Sequence, residues 1–309
     1  MCIRDRVGVE DDFYRTPSGN EPGPAPMWPI ATSAYDGACP PMSHLAGEAP
    51  VCEVQAGLPE YQQSSAPGSH NDLAQMRALG FNFIRLGVSW SQLEPTPGAY
   101  SAAYVDRIAQ VVGWARRQGI YVLLDMHQDA YSRFTPETAP VNIPPLLTPT
   151  QESSAHADGA PPWAVLADNV LAEAPNGIAE FNSYVEAAFT SFWLDRAPAQ
   201  TPDEGLQEHY LGAMAALTRR FSDDSTVVGY EIMNEPLPGF IPPVAFSAAV
   251  LYPFYAKVID ALTGPGRVTR QSFFFEPMAV RNLEDAPDQV AAPFTSYPNI
   301  VYSPHTYTH

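Results

Sequence analysis

Carboxylate and amide side chains follow the apolar segments of this 309-residue sequence at the points where buried strands should end. The sharpest case is Asn234-Glu235-Pro236, which comes directly after the apolar run 226–233. A carboxyl group that keeps its proton near neutral pH can donate it to a leaving oxygen, which is what breaking a glycosidic bond requires. Glu235 is therefore the candidate general acid/base.

The other candidate site residues share this placement, at or just beyond the carboxyl ends of predicted strands. They are Arg85, Asp125, His127, Asp129, Asn234, Glu276, His305 and Tyr307. In a parallel barrel those strand ends form one face, and that face carries the active site. Glu231 precedes Asn234 by three residues, and we predict a structural role for it on a different side of its strand from Glu235.

Strand and helix patterns alternate between these residues. Apolar runs predict five strands, at 81–88, 120–127, 226–233, 272–276 and 299–303. The spacing of large apolar residues predicts helices at 71–79, 101–119, 178–194, 204–221 and 244–262. This alternation indicates an α/β fold with a parallel sheet, either a barrel or a doubly wound sheet. No Gly-x-Gly-x-x-Gly follows a strand, which argues against dinucleotide binding.

The segment 227–236, Val-Val-Gly-Tyr-Glu-Ile-Met-Asn-Glu-Pro, resembles the fourth-strand motif of glycoside hydrolase family 5, the cellulase-type superfamily. The resemblance implies a TIM (β/α)8 barrel and retaining cleavage of O-glycosyl bonds, with Glu235 as general acid/base. It also implies substrate contacts from an arginine, a histidine and a His-x-Tyr pair, which are matched here by Arg85, His127, His305 and Tyr307.

Other segments resemble one branch of that family, the endoglycoceramidases, which cut the β-linkage between a glycan and ceramide. They are 85–90, 94–95, 123–130 and 159–161 with Trp163. By this resemblance Asp129 would hydrogen-bond the sugar next to the scissile bond, and Asn234 would hold its 2-hydroxyl. Such contacts can strengthen in the transition state. A β-glucanase or β-glucosidase of the same family is the alternative.

The resemblance covers residues 71–309 well and implies a barrel with strands 1 or 2 to 6 present. The nucleophilic glutamate is then expected beyond His309, and the 309 residues alone are expected to be inactive and to aggregate. Glu276 is the rival nucleophile, although a cleft-lining role is preferred. We also expect residues 1–6 to be non-native, and 7–309 to form part of one catalytic domain with long loops at 16–70 and 132–175.

Two alternatives use other chemistry. A metal could be held by His127, Asp129, His305 and His309. That site would leave the Asn-Glu-Pro strand unexplained, so we expect neither a metal nor a cofactor. A barrel that binds carbohydrate without cleaving it would keep the sugar-contacting residues and lack the nucleophile.

The net charge of -18 and pI near 4.6 disfavour binding to nucleic acid or anionic lipid surfaces and suit a neutral glycan or glycolipid. No uninterrupted apolar run of about 18 residues predicts a membrane-spanning helix. Cys39 and Cys52 could form a disulfide or remain two buried thiols. We expect a secreted or periplasmic monomer whose targeting signal is not visible in this sequence.

Overall fold

The computed structural model describes residues 72–132, 134–135, 159–167, 181–264, 268–283 and 294–305. Several sequence predictions lie outside these residues: the nature of residues 1–6, the loop at 16–70 and most of that at 132–175, the Cys39–Cys52 alternatives, and the roles of Tyr307 and His309.

Within the described residues, five strands form one sheet, in which each strand neighbours the next one along the chain. They are β1 (Phe83–Ser89), β2 (Tyr121–His127), β3 (Val227–Glu231), β4 (Ser272–Phe275) and β5 (Ile300–Tyr302). β4 and β5 pair in parallel, with Phe273 opposite Ile300. The prediction of five strands in a parallel sheet is confirmed, and its strand limits lie within two residues of those observed.

One helix precedes β1, and the other helices of the described residues lie between successive strands along the chain. They are α1 (Asp72–Ala78), α2 (Trp90–Leu93), α3 (Ala102–Arg117), α4 (Ser183–Trp193), α5 (Leu206–Phe221), α6 (Pro243–Phe246), α7 (Tyr252–Thr263) and α8 (Val280–Leu283), with 3-10 turns at Pro162–Ala164 and Phe294–Ser296. The prediction of an irregular link before β5 missed α8 and the second 3-10 turn.

Local sequence chemistry explains α3 well. The Ser101 hydroxyl accepts a hydrogen bond from the backbone N–H of Tyr104 (3.2 Å) and so satisfies one of the free donors at the helix start. Tyr104, Ile108 and Val112 are buried, as their spacing predicts. Gly119, with a φ of +67°, provides the left-handed residue after the helix.

The predicted helix at 244–262 is interrupted. A π-helical turn, Ser247–Leu251, separates α6 from α7, and the N–H of Tyr252 bonds to the Ser247 carbonyl five residues back. The next residue, Pro253, has no N–H to donate. Because proline interrupts the backbone hydrogen bonds of an α-helix, the π-helical turn lies next to a position where regular α-helical bonding would be lost anyway.

By length and composition, Pro243–Thr263 is also a helix that could cross a membrane, which the sequence prediction did not anticipate. In its most apolar window 39% is buried inside the protein. The inward-facing residues of α7, including Tyr255, Val258 and Leu262, are buried, as is typical of a core helix in a globular protein.

The chain divides into two compact units. The described residues of the first are 72–88, 101–125 and 223–229, and those of the second are 89–100, 126–222 and 230–305 apart from the gaps given above. In the first unit, the Arg116 guanidinium donates to the Thr226 hydroxyl (2.8 Å) and pairs with Asp224. The second unit contains Glu235 and most of the other candidate site residues.

A buried carboxylate organises the core of the second unit. Glu94 is fully buried and accepts hydrogen bonds from the Trp90 indole (2.8 Å) and the Gly98 N–H (2.7 Å). It also contacts His209 Nδ1 at 2.8 Å, and the Trp163 indole donates to its backbone carbonyl (3.2 Å). A buried charge is costly unless it is hydrogen-bonded in this way. Glu94 therefore positions the aromatic core.

Candidate active site

Glu235 lies four residues beyond the last residue of β3, and its side chain is 16% exposed. The N–H of Asn234 bonds to the Met126 carbonyl (3.1 Å), so backbone bonding with β2 continues to the residue before Glu235. Glu235 itself has a φ of +41°. This conformation costs a residue with a side chain about 1–3 kcal/mol and must be maintained by its surroundings.

The Gln128 side chain provides part of that support. Its amide nitrogen donates to the backbone carbonyls of Asn234 (2.7 Å) and Glu235 (3.1 Å). Its amide oxygen accepts from the N–H of Tyr131 (2.8 Å), which has a positive φ of 68°. Gln128 therefore connects the strained turn after β2 to the strained turn that carries Glu235.

Asp129 is the most exposed polar group beside this turn, with 38% of its side chain accessible. Its carboxylate lies 3.4 Å from His127 Nε2 and 3.5 Å from the amide nitrogen of Asn234. Asn234 is fully buried and donates to the Gln128 carbonyl at 2.8 Å. The two residues expected to contact sugar hydroxyls thus lie side by side, and Asp129 has open surface for a ligand.

His305 joins two carboxyl groups through its two ring nitrogens. Nδ1 is 2.7 Å from Glu235 Oε1, and Nε2 is 3.1 Å from Glu276 Oε1. Its own side chain is only 8% exposed. Because both nitrogens face protein carboxyls, the structure indicates that His305 positions the Glu235 side chain, in addition to the substrate contact that the sequence predicts.

Two hydrogens are needed to form both of these contacts. One arrangement is an imidazolium that donates to two carboxylates. The other is a neutral ring that donates from one nitrogen and accepts at the other from a protonated carboxyl group, which can belong to Glu235 or to Glu276. The form with the proton on Glu235 is the one that a general acid requires.

Glu276 and Glu231 are both fully buried behind this contact. Possible ligand atoms of Glu276, Glu231 and His305 all lie within 4.8 Å of one another. The carboxylate of Glu231 thus lies near the histidine that contacts Glu235, while its predicted placement on a different side of the strand from Glu235 stays a prediction. By donor type the three could hold a metal, a different set from the one that the sequence suggested.

Arg85 and Asp125 belong to the first unit and form a buried ion pair of 3.0 Å. The expectation that they lie at strand ends is wrong. Arg85 is the third residue of β1 and Asp125 the fifth residue of β2. The apolar residues around them correctly predicted β1 and β2. The two polar residues lie within these strands and not at their ends.

Gly159 packs against the turn after β2. Its N–H bonds to the His127 carbonyl (3.3 Å), and its carbonyl accepts from the N–H of Ser91 (2.9 Å). It has a φ of +40°, and a Cβ at this position would overlap the backbone carbonyl of Tyr131. Glycine is required here for two separate reasons, backbone conformation and space.

Gly159→Ala is therefore expected to destabilise the fold by about 2 kcal/mol or more, because the Tyr131 carbonyl cannot move without disturbing the Gln128 contact. The matched control is Gly98→Ala, which also has a positive φ (+71°) but has open space around the added Cβ. The control should cost only about 1 kcal/mol. Thermal and denaturant melting of the two variants would measure the difference, and equal losses would contradict the steric argument.

Sequence reasoning missed Gln128 as a positioning residue and the connection from Glu276 through His305 to Glu235. Gln128 lies between His127 and Asp129, both of which were selected for their chemistry. Alternation along an extended chain directs Gln128 away from these two residues. This alternation could have predicted that Gln128 bonds to the backbone after a neighbouring strand, here the turn after β3.

A parallel sheet with a supported Asn-Glu pair at one strand end defines the catalytic face of a glycoside hydrolase barrel. The chain belongs to the cellulase family, glycosyl hydrolase family 5, whose model matches residues 49–309. The fold of this family is the TIM barrel, so the predicted family and fold class are confirmed.

Several similar proteins are named as enzymes that act on ceramide-linked glycans. The chain is 27% identical over 235 residues to endoglycoceramidase I of Rhodococcus hoagii, covering 74% of this chain and 43% of that protein. It is 31% identical over 190 residues to a glucosylceramidase of Rhizopus delemar, covering 56% and 27%.

The chain is also similar to solved structures of enzymes named for ceramide-linked glycans. A crystal structure of endogalactoceramidase matches with 37% identity and a TM-score of 0.65, covering 82% of this chain and 52% of that one. Endo-glycoceramidase II from Rhodococcus sp., as a lactosyl-enzyme intermediate, matches with 31% identity and a TM-score of 0.61, covering 77% and 51%. The chain spans about half of these structures, and less than half of the curated relatives it matches.

Proposed function

We propose that this chain carries the acid/base half of a retaining β-glycosidase that releases the glycan from ceramide. The observation that supports it most is the contact of Glu235 with His305, at the end of a strand whose Asn234 lies beside Asp129. In the first step Glu235 protonates the oxygen that leaves with ceramide. In the second step it accepts a proton from the water that frees the glycan.

The retaining reaction also needs a nucleophilic carboxylate about 5 Å from the acid. Glu276 and Glu231 are fully buried, and Glu276 contacts the ring nitrogen of His305 that faces away from Glu235. We propose a positioning role for Glu276, and we place the nucleophile outside the described residues, as the sequence predicts.

The lipid part of the substrate follows from the names of the relatives, and a β-glucan or β-glucoside is the competing substrate. The test compares hydrolysis of lactosylceramide and glucosylceramide with that of cello-oligosaccharides by the full-length gene product. Activity confined to the oligosaccharides would contradict the glycolipid assignment. Secretion stays a prediction, which fractionation of the native host cells would test.

Asp129→Ala should lower kcat/KM about 10- to 100-fold, because a charge-assisted hydrogen bond to a sugar hydroxyl contributes about 1.5–3 kcal/mol. Asn234→Ala should cost at least as much, since it also removes the bond to the Gln128 carbonyl. The matched control is Asp203→Ala, an exposed aspartate in the turn before α5. Steady-state kinetics on lactosylceramide decide the point, and an unchanged kcat/KM in the Asp129 variant would exclude its sugar contact.

A further inference from the structure

A long uncharged segment begins directly after the candidate acid. Residues 236–256 contain no Asp, Glu, Lys or Arg, although the chain as a whole carries a net charge of -18. The segment forms the turn after Glu235, the whole of α6 and the π-helical turn, and the first residues of α7. Its composition therefore sets it apart from an otherwise acidic surface.

Much of this apolar segment faces solvent. The Phe240 side chain is 54% exposed and that of Val244 is 96% exposed. The other exposed positions are equally apolar: Pro242, Pro243, Ala245, Ala248, Ala249 and Pro253. Isolated exposed apolar residues are common, but an adjoining set without a charge usually marks an interaction site.

Side chains of α4 fix the backbone of this segment. The N–H of Phe240 donates to the Thr190 hydroxyl (2.8 Å), and the Trp193 indole donates to the Leu237 carbonyl (2.7 Å). Phe246 is fully buried against Trp193. The backbone is thus fixed on α4, while Phe240 and Val244 remain outside the core. Core packing does not explain their apolar character.

On the basis of the proposed function, we propose that this surface docks on the neutral face of a lipid bilayer. A ceramide-linked substrate is anchored in a membrane by its apolar chains, and its scissile bond must reach Glu235. The exposed part of the segment starts at Phe240, five residues after Glu235 in the chain. Docking there would place the headgroup of the lipid at the acid.

The charge distribution indicates which lipids are suitable. An acidic protein is repelled by anionic headgroups, so electrostatic repulsion from phosphatidylserine would oppose docking on an anionic bilayer. Apolar contact with a zwitterionic surface carries no such penalty. An interfacial segment of this kind lies on the bilayer with its apolar side chains among the headgroups, and it does not need to span.

The test uses the full-length gene product and sedimentation with phosphatidylcholine vesicles that lack glycolipid. The double variant Phe240→Ser/Val244→Ser should bind on the order of tenfold more weakly, because two exposed apolar groups no longer leave water. Val244→Asp alone should give a loss of similar size. The matched control is Leu79→Ser, an exposed leucine of the first unit (75%) that should leave binding unchanged.

Hydrolysis separates this inference from the proposed function. The variants should lose activity on lactosylceramide in vesicles, yet keep activity on a soluble aryl β-lactoside. If neither substrate is cleaved, the proposed function is rejected. The vesicle-binding measurement still tests the docking surface in that case. The docking surface is rejected if the parent protein does not sediment with neutral vesicles, or if the Leu79 variant loses as much binding as the double variant. It is also rejected if the substitutions change only the oligomeric state, which would show that a second copy covers this face.

Discussion

Glu235→Gln is expected to lower the turnover of lactosylceramide by about 10²- to 10⁴-fold in the full-length gene product. Glutamine matches glutamate in shape and can still contact His305 Nδ1, so the turn and the sheet should remain intact. It cannot give a proton to the leaving ceramide oxygen. The loss should therefore appear in kcat rather than in folding or binding.

An aryl β-lactoside with a good leaving group separates the two roles of Glu235. Such a group departs without protonation, so the first step should be spared and the glycosyl-enzyme should accumulate as a burst. Azide needs no base to attack that intermediate, so it should restore turnover and give a β-glycosyl azide. Equal losses on both substrates, without a burst or azide rescue, would contradict the acid/base assignment.

The matched control is Glu208→Gln, which changes an exposed glutamate in the first turn of α5 in the same way. It should leave both activities unchanged and lower the melting temperature only slightly, because an acidic side chain in the first turn of a helix contributes about 0.3–1 kcal/mol. A reduction of activity in this control would show that the kinetic effect does not depend on the position of the carboxyl group.

Sequence patterns predicted the parts of this structure that depend on near neighbours. Ser101 and Gly119 mark the limits of α3 because capping and left-handed φ are local requirements. The position of Glu235 after an apolar strand is also local. The prediction that it lies on the catalytic face rests on the general rule that parallel strand ends share one face.

The sequence did not predict contacts between residues far apart in the chain. His305 and Glu235 are separated by 70 positions, and their 2.7 Å contact depends on where β5 ends relative to β3. The sequence also did not predict that two polar residues lie within strands. Arg85 and Asp125 can be buried because they pair with each other, and neither residue alone signals that partner.

The sequence also did not predict the backbone strain at the candidate site. Nothing in Asn-Glu-Pro requires a positive φ at Glu235, and nothing in the turn after β2 requires one at Ala130 and Tyr131. These conformations persist because surrounding contacts hold them. Gln128 contacts both turns, which makes it the residue at which the contribution of positioning can be measured separately from that of chemistry.

Gln128→Glu is expected to reduce kcat about 10²-fold on lactosylceramide, the loss typical of a misplaced catalytic group, although Gln128 donates no proton to substrate. The glutamate keeps the oxygen that accepts from the Tyr131 N–H but loses the nitrogen that donates to the Asn234 and Glu235 carbonyls. At neutral pH a carboxylate would then face two carbonyl oxygens and displace the turn.

Kinetics across pH test this positioning role. Protonation of the new carboxyl group restores one donor, so the ratio of parent to variant kcat should fall as the pH is lowered. A purely structural defect would instead lower the fraction of folded protein and leave kcat per folded molecule constant, which active-site titration alongside melting would reveal. The isosteric control, Gln207→Glu, changes a buried glutamine on α5 whose amide donates to the Phe192 carbonyl (3.0 Å), away from Glu235. It should reduce stability without a pH-dependent change in kcat, and the same pH dependence in both variants would refute the role assigned to Gln128.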